Sequence, residues 1–300
     1  MIFLKKFLSA AVFAAAIGLT ICSCSNKSST TYYVPKSKVE TTSQPFTERE
    51  VRAAEGTYVF DKAGILSPEA VKACNDYAGW LYNEKLINAA VLTVNDLGDK
   101  SPYDYAADAF ADIYEAKGSG LIILINNATN EDIVFKTGNC FTNISDKEQE
   151  NAVYWATKEF MSGDYRKGIM RLLQLGELCP AHIADNVQLF EYEQSKTLEK
   201  ALASCKEDIT LLASKNNSST PNEEILKTYY KRKYIDRDGI MLMIDTKSKK
   251  ILAYSDKKIP KALDTALKEA NELTEKEDYY GAVNKIVEAM DGKAASEKKE

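Results

Sequence analysis

Histidine is almost missing from this sequence: His182 is the sole one in 300 residues. That scarcity removes whole classes of chemistry. Hydrolases of the triad type need a histidine beside the nucleophile, and zinc sites built on several histidines need more than one. His182 falls in Cys179-Pro180-Ala181-His182, between the two halves of the chain, where a solvent-exposed linker residue is expected. Cysteine is nearly as sparse, and none of the six forms a Cys-x-x-Cys pair, so a structural zinc site is not expected. Positive charge is not in excess either. With 39 Lys and Arg against 44 Asp and Glu, the net charge is −5. A nucleic-acid binder would carry a basic face or stripe, so no nucleic-acid partner is expected.

What is present begins with a secretory pattern. Lys5 and Lys6 precede an apolar, alanine-rich run from Phe7 to Ile21, too short to span a bilayer comfortably. It ends in Ile21-Cys22-Ser23-Cys24. A small residue before a cysteine, with an aliphatic residue three back, resembles the bacterial lipobox. Residues 1–23 are therefore expected to be a lipoprotein signal peptide, with Cys24 lipidated and first in the mature chain. Residues 24–48, rich in Ser, Thr and Lys, are expected to be a disordered tether. The chain would then sit outside the cytoplasm of a bacterium, held to a membrane by its lipid. Each buried methylene of such an anchor contributes about 0.8 kcal/mol. That compartment permits disulfides. Cys74 and Cys205 fall on expected helices in apolar company and read as buried free thiols. The pairing of the remaining cysteines is left open.

Two hairpins organise the rest. Gly120–Ile125 and Gly239–Ile244 are apolar runs that open on glycine. Each is followed by a polar turn and a second short apolar run, Ile133–Phe135 and Ile251–Tyr254. Runs this short and continuous suit strands covered on both faces, and the turns predict an antiparallel return. Strands are also expected at 58–60, 89–94 and 209–213. Helices are expected from Ser67-Pro68, Ser101-Pro102 and Ser145-Asp146, each with a capping residue first. Thr137–Asn143 is expected to be a loop. Gly120 and Gly239, Phe135 and Tyr254, Pro102 and Pro221, and Leu92 and Leu211 all lie 119 residues apart. A shared offset across strand, helix and hairpin indicates an internal repeat. Asp164-Tyr165 and Asp278-Tyr279 repeat at an offset of 114.

Val59-Phe60-Asp61-Lys62-Ala63-Gly64-Ile65-Leu66-Ser67, the strand at 90–94, the aliphatic run at 120–125 and Gly163-Asp164-Tyr165 with Gly168 together resemble the TPM domain family. The resemblance implies tandem α/β/α sandwich domains, each a central mixed sheet with helices on both faces. The first is expected at 56–177 and a degenerate second at 187–291, with a charged tail at 292–300. Some members of the family bind calcium through acidic loops, and one has acid phosphatase activity. Asp61 matches the family's aspartate at the opening strand. The family's second acidic position, before the aliphatic strand, is Lys117-Gly118-Ser119 in the first half and Asp236-Arg237-Asp238 in the second. Asp61, Asp236 and Asp238 are thus the candidate metal ligands, with calcium the candidate ion. The alternative for Asp61 is a loop-stabilising acceptor of backbone N–H bonds. No catalytic residue emerges. The expected function is a non-catalytic binding or accessory module for a membrane-associated envelope partner. The alternative is a divalent-metal-dependent acid phosphatase.

Overall fold

The computed structural model describes residues 46–129 and 131–290. The signal peptide, Cys24, the tether to residue 45 and the charged tail lie outside the described residues. The chain begins β1 (Val59–Asp61), α1 (Pro68–Glu84), β2 (Ile87–Val94), α2 (Pro102–Tyr114), β3 (Ser119–Asn126) and β4 (Ile133–Lys136). It continues α3 (Asn139–Asn143), α4 (Asp146–Met161) and α5 (Tyr165–Leu173), then a 3-10 turn at Gln174–Leu178. The second half runs β5 (Ile183–Asp185), α6 (Tyr192–Ala203), β6 (Ile209–Ser214), α7 (Asn222–Lys233), β7 (Ile240–Asp245) and β8 (Lys250–Tyr254), closing with α8 (Lys261–Glu275) and α9 (Tyr279–Ala289). It opens on β5 at Ile183, ahead of the expected start at 187.

Each half builds a four-stranded mixed sheet, in the orders β1-β2-β3-β4 and β5-β6-β7-β8. The first three strands of each are parallel, and the fourth returns antiparallel. Both hairpins therefore form as their turns predict. Helices cover both faces. In the first sheet Val91, Leu121 and Ile123 pack with α1 and α5, while Leu92, Ile122 and Leu124 pack with α2. In the second, Leu211, Leu242 and Ile244 pack with α6, α8 and α9, while Leu212, Met241 and Met243 pack with α7. The capping serines act as expected: Ser67, Ser101 and Ser145 each accept an N–H of the first turn of α1, α2 and α4. Thr137–Asn143 is not all loop, since α3 forms within it.

The repeat is real, but its offset is not uniform. Asp61 pairs with Thr93, and Asp185 with Ala213; Thr93 pairs with Ile125, and Ala213 with Ile244. The hairpins keep 119, whereas β2 and β6 align at 120. Leu92 thus corresponds to Leu212, not Leu211, because a slip of one residue exchanges the faces of a strand. The α2 and α7 helices also align at 120: Pro102 is the first residue of α2, but Pro221 is the residue before α7. One residue is missing from the second half between α7 and β7.

Two stretches of the first half make contacts that the sequence does not lead one to expect. Phe46, at the end of the expected tether, packs on the first core, and Glu48 pairs with Arg166. Leu86, in the left-handed region at φ 53° between α1 and β2, is buried not in its own half but in the core of the second, beside Ala184, Leu212 and Tyr230. His182 is not an exposed linker residue. Its carbonyl accepts from Leu211, and its half-buried ring places Nδ1 3.0 Å from the carbonyl of Ile209.

Candidate functional site

Parallel strands end on one side of a sheet, where loops can gather polar groups. Asp61 ends β1 there. Its carboxylate accepts the N–H of Ile65 (3.2 Å) and of Leu66 (3.0 Å), and the hydroxyl of Thr93. Gly64, at φ 67°, lets the chain turn within this ring. The result is a loop that delivers Ser67 to the start of α1.

The second half holds the same device around an aspartate that the sequence reading missed. Asp185 ends β5 and accepts from Val187 (3.2 Å), Leu189 (2.9 Å) and Phe190 (2.9 Å). The spacing matches Asp61 residue for residue: Gln188, at φ 54°, stands where Gly64 stands, and Glu191 replaces Ser67 as the cap of α6. The signal in the sequence was the aspartate followed by an apolar pair four and five residues on. Gln in the glycine position and Glu in the serine position hid it. Burial pushes the Asp185 carboxyl above the usual aspartate range, against the pull of its backbone donors.

At the end of β7, Asp245 accepts from the N–H groups of Asn216 (2.9 Å), Lys247 and Ser248 (both 3.2 Å), and from the side chains of Ser248 (2.6 Å) and Asn222 (3.1 Å). Burial opposes its ionisation, but these donors outweigh burial and hold it below the usual range. Its counterpart in the first half is the neutral Asn126, which closes its own turn through Ala128 and Thr129. Asp132, near Asn126, is different. Its Oδ1 is buried with no hydrogen-bond partner among the described residues, and burial pushes the carboxyl up to about 6.

Asp236 and Asp238 lie at the opposite end. They precede β7, so they sit where its parallel strands begin, not where they end. Asp236 pairs with Arg52 at 2.9 Å, and Asp238 with Lys257. The three candidate ligands are therefore not brought together: Asp61 is at the strand-end loops of the first half, and the other two are exposed at the strand starts of the second. Calcium takes about six to eight oxygen ligands. Among the described residues, no group of three or more acidic, cysteine or histidine side chains is placed to hold a metal ion, and these carboxylates do not fit a shared calcium site.

A polar and aromatic concavity lies instead between the halves, a cleft of about 700 Å³ beside the end of α1 and the end of α7. Tyr58, Trp80 and Tyr82 supply rings, and Arg52, Lys231 and Arg232 supply cations. Arg232 lies over the Tyr82 ring at 3.3 Å and donates through Nε to the Tyr82 carbonyl. Its Nη2 is buried without a partner among the described residues, and burial pulls its pKa down. Arg237 forms a two-bond pair with Glu84 (3.0 and 2.7 Å). Burial would raise Glu84, but Arg237 and Lys233 hold it below the usual carboxylate range. None of these contacts was visible in the sequence, because the partners are about 150 residues apart.

Residues 59–175 match the TPM domain family. Two solution NMR structures are similar to part of the chain. The N-terminal domain of a protein from P. gingivalis is 18% identical, with a TM-score of 0.37, covering 41% of this chain and 81% of that one. The N-terminal domain of a protein from Corynebacterium glutamicum is 16% identical, with a TM-score of 0.35, covering 45% of this chain and 90% of that one. No curated protein matches the chain.

Proposed function

We propose that this chain, whose residues 59–175 form a TPM domain, is a lipid-anchored accessory module outside the cytoplasm that binds a membrane-associated partner protein. The cleft between the halves is its contact surface. One observation carries this: the cleft gathers rings and cations from both halves, whereas Asp61, Asp185 and Asp245 are committed to holding their own loops. Aromatic and arginine side chains are the groups that most often anchor protein contacts. Cys24 would carry the anchor, and the Ser/Thr-rich stretch after it would give the domains reach from the membrane.

Two measurements test this. Cys24→Ala should move the chain from the membrane fraction to the soluble fraction; retention in the membrane would refute the anchor. A photo-reactive residue at position 231, which is exposed on the cleft rim, should cross-link in cells to a membrane-associated protein. The same residue at exposed position 268 on α8 should not. Equal cross-linking at both positions, or none at either, would refute the cleft as a contact surface.

A further inference from the structure

Cys140 on α3 and Cys179 after the 3-10 turn are both buried, and their sulfurs lie 3.7 Å apart. A disulfide bond is about 2 Å long, so small side-chain rotations separate the two thiols from a bond. The pair sits where the first half hands over to the second. Asn139, next to Cys140, donates to the carbonyl of Ile183 at the start of β5 (2.9 Å). The carbonyl of Cys179 accepts from Lys85 at the end of α1 (2.7 Å). Among the described residues, Cys74 and Cys205 have no such neighbour: their nearest polar contacts are the carbonyls of Arg166 and Ala201.

We propose that Cys140 and Cys179 form a disulfide that staples the joint between the halves. It rests on the placement outside the cytoplasm given above, where protein disulfide oxidants operate. One cysteine thiolate attacks a sulfur of the oxidant's disulfide and displaces its other sulfur as thiolate. The second cysteine thiolate then attacks the mixed disulfide, forming the Cys140–Cys179 bond and releasing the oxidant's remaining sulfur. Two electrons pass to the oxidant, and the two thiol protons end on its two reduced sulfurs. In the folded chain burial, then the contact with Cys179, holds the Cys140 thiol protonated. Exchange therefore precedes closure of the core, and the finished bond is shielded from reductants. It closes a loop whose ends are 39 residues apart, directly ahead of β5.

The full chain, extracted from membranes under acid quench, is denatured with N-ethylmaleimide, digested with trypsin and mapped without reductant. Peptide 137–147 should appear linked to peptide 172–196, with Cys74 and Cys205 alkylated. Alkylated Cys140 and Cys179, in a chain that added protease reaches from outside the cytoplasm, would overturn the disulfide and leave the placement standing. A chain found inside the cytoplasm would overturn both. Melting supplies the second readout. Reduced in denaturant and refolded with reductant present, the wild type should melt about 5 °C or more below its oxidised form, while the Cys140→Ala, Cys179→Ala double variant taken through the same steps is unmoved. An equal response in the two proteins would overturn the proposal.

Discussion

A buried carboxylate with too few donors is costly to ionise, and Asp132, whose Oδ1 has no partner among the described residues and whose backbone donor is Asn126, converts that cost into a pH dependence. Burial lifts it to about 6, against about 3.9 in an unfolded chain. Between those values the folded chain keeps a proton that the unfolded chain has released, so stability falls as pH rises through the window and is level above it. The gap between the folded and unfolded values corresponds to roughly 3 kcal/mol at most. Asp132→Asn should therefore be more stable than the wild type by about 2 kcal/mol at pH 7.5, with the difference gone near pH 4. Urea midpoints across that range check it, and parallel pH curves for the two proteins would refute it. At this scale the sequence was partly legible. Asp61 stood out because Gly64 and Ser67 completed a recognisable turn. Asp185 accepts from the same two backbone N–H positions, four and five residues on, but Gln188 adopts a left-handed conformation that residue identity does not announce. Asp132 carries no motif: its environment is made by packing.

Both hairpins begin on glycine, and at the scale of elements the reason is contact rather than backbone freedom. A Cβ on Gly120 would come within 2.6 Å of the Phe110 ring, and one on Gly239 would come closer still to the Tyr234 ring. An aromatic ring carried by the preceding helix or its cap packs on the start of each strand. In the second half Tyr234 is also tied by its hydroxyl to Thr210 and Asp208, so it has little room to retreat. Gly239→Ala should cost about 1–3 kcal/mol through overpacking, read as a lower urea midpoint with an unchanged slope. A variant as stable as the wild type would show that the ring can shift. Hairpins, caps and helix order were legible, because turn residues and capping serines carry their own chemistry. The alignment of β2 with β6 was not. Every residue of β2 is buried and both faces are mainly apolar, with one polar residue on each, Asn88 and Thr93, so the pattern carries no phase to distinguish an offset of 119 from 120.

At the scale of the whole molecule, the halves are joined by contacts that neither repeat explains alone. Arg232 is central to them. Stacking on Tyr82 and the bond to the Tyr82 carbonyl stabilise the joint, while its unpartnered Nη2 works against it. A desolvated cation–π contact is worth about 2 kcal/mol. Arg232→Ala should lower stability by about that much and broaden or split the calorimetric transition as the halves melt apart. Arg232→Lys should not restore it, since an ammonium lacks the planar face that stacks. One sharp, unshifted transition would show that the joint does not depend on this residue. The repeat itself foretold two similar sheets, yet an internal repeat says nothing of how its copies meet. Leu86 shows why that matters. Among the described residues it is one of eight buried in the core shared with α7, and the only one of them from the first half. Dependence between the copies is therefore one-way at this point: the later copy borrows from the earlier. Chains leave the ribosome amino end first, so the copy that lends the side chain is made before the copy that needs it, and the order of synthesis matches the order of need.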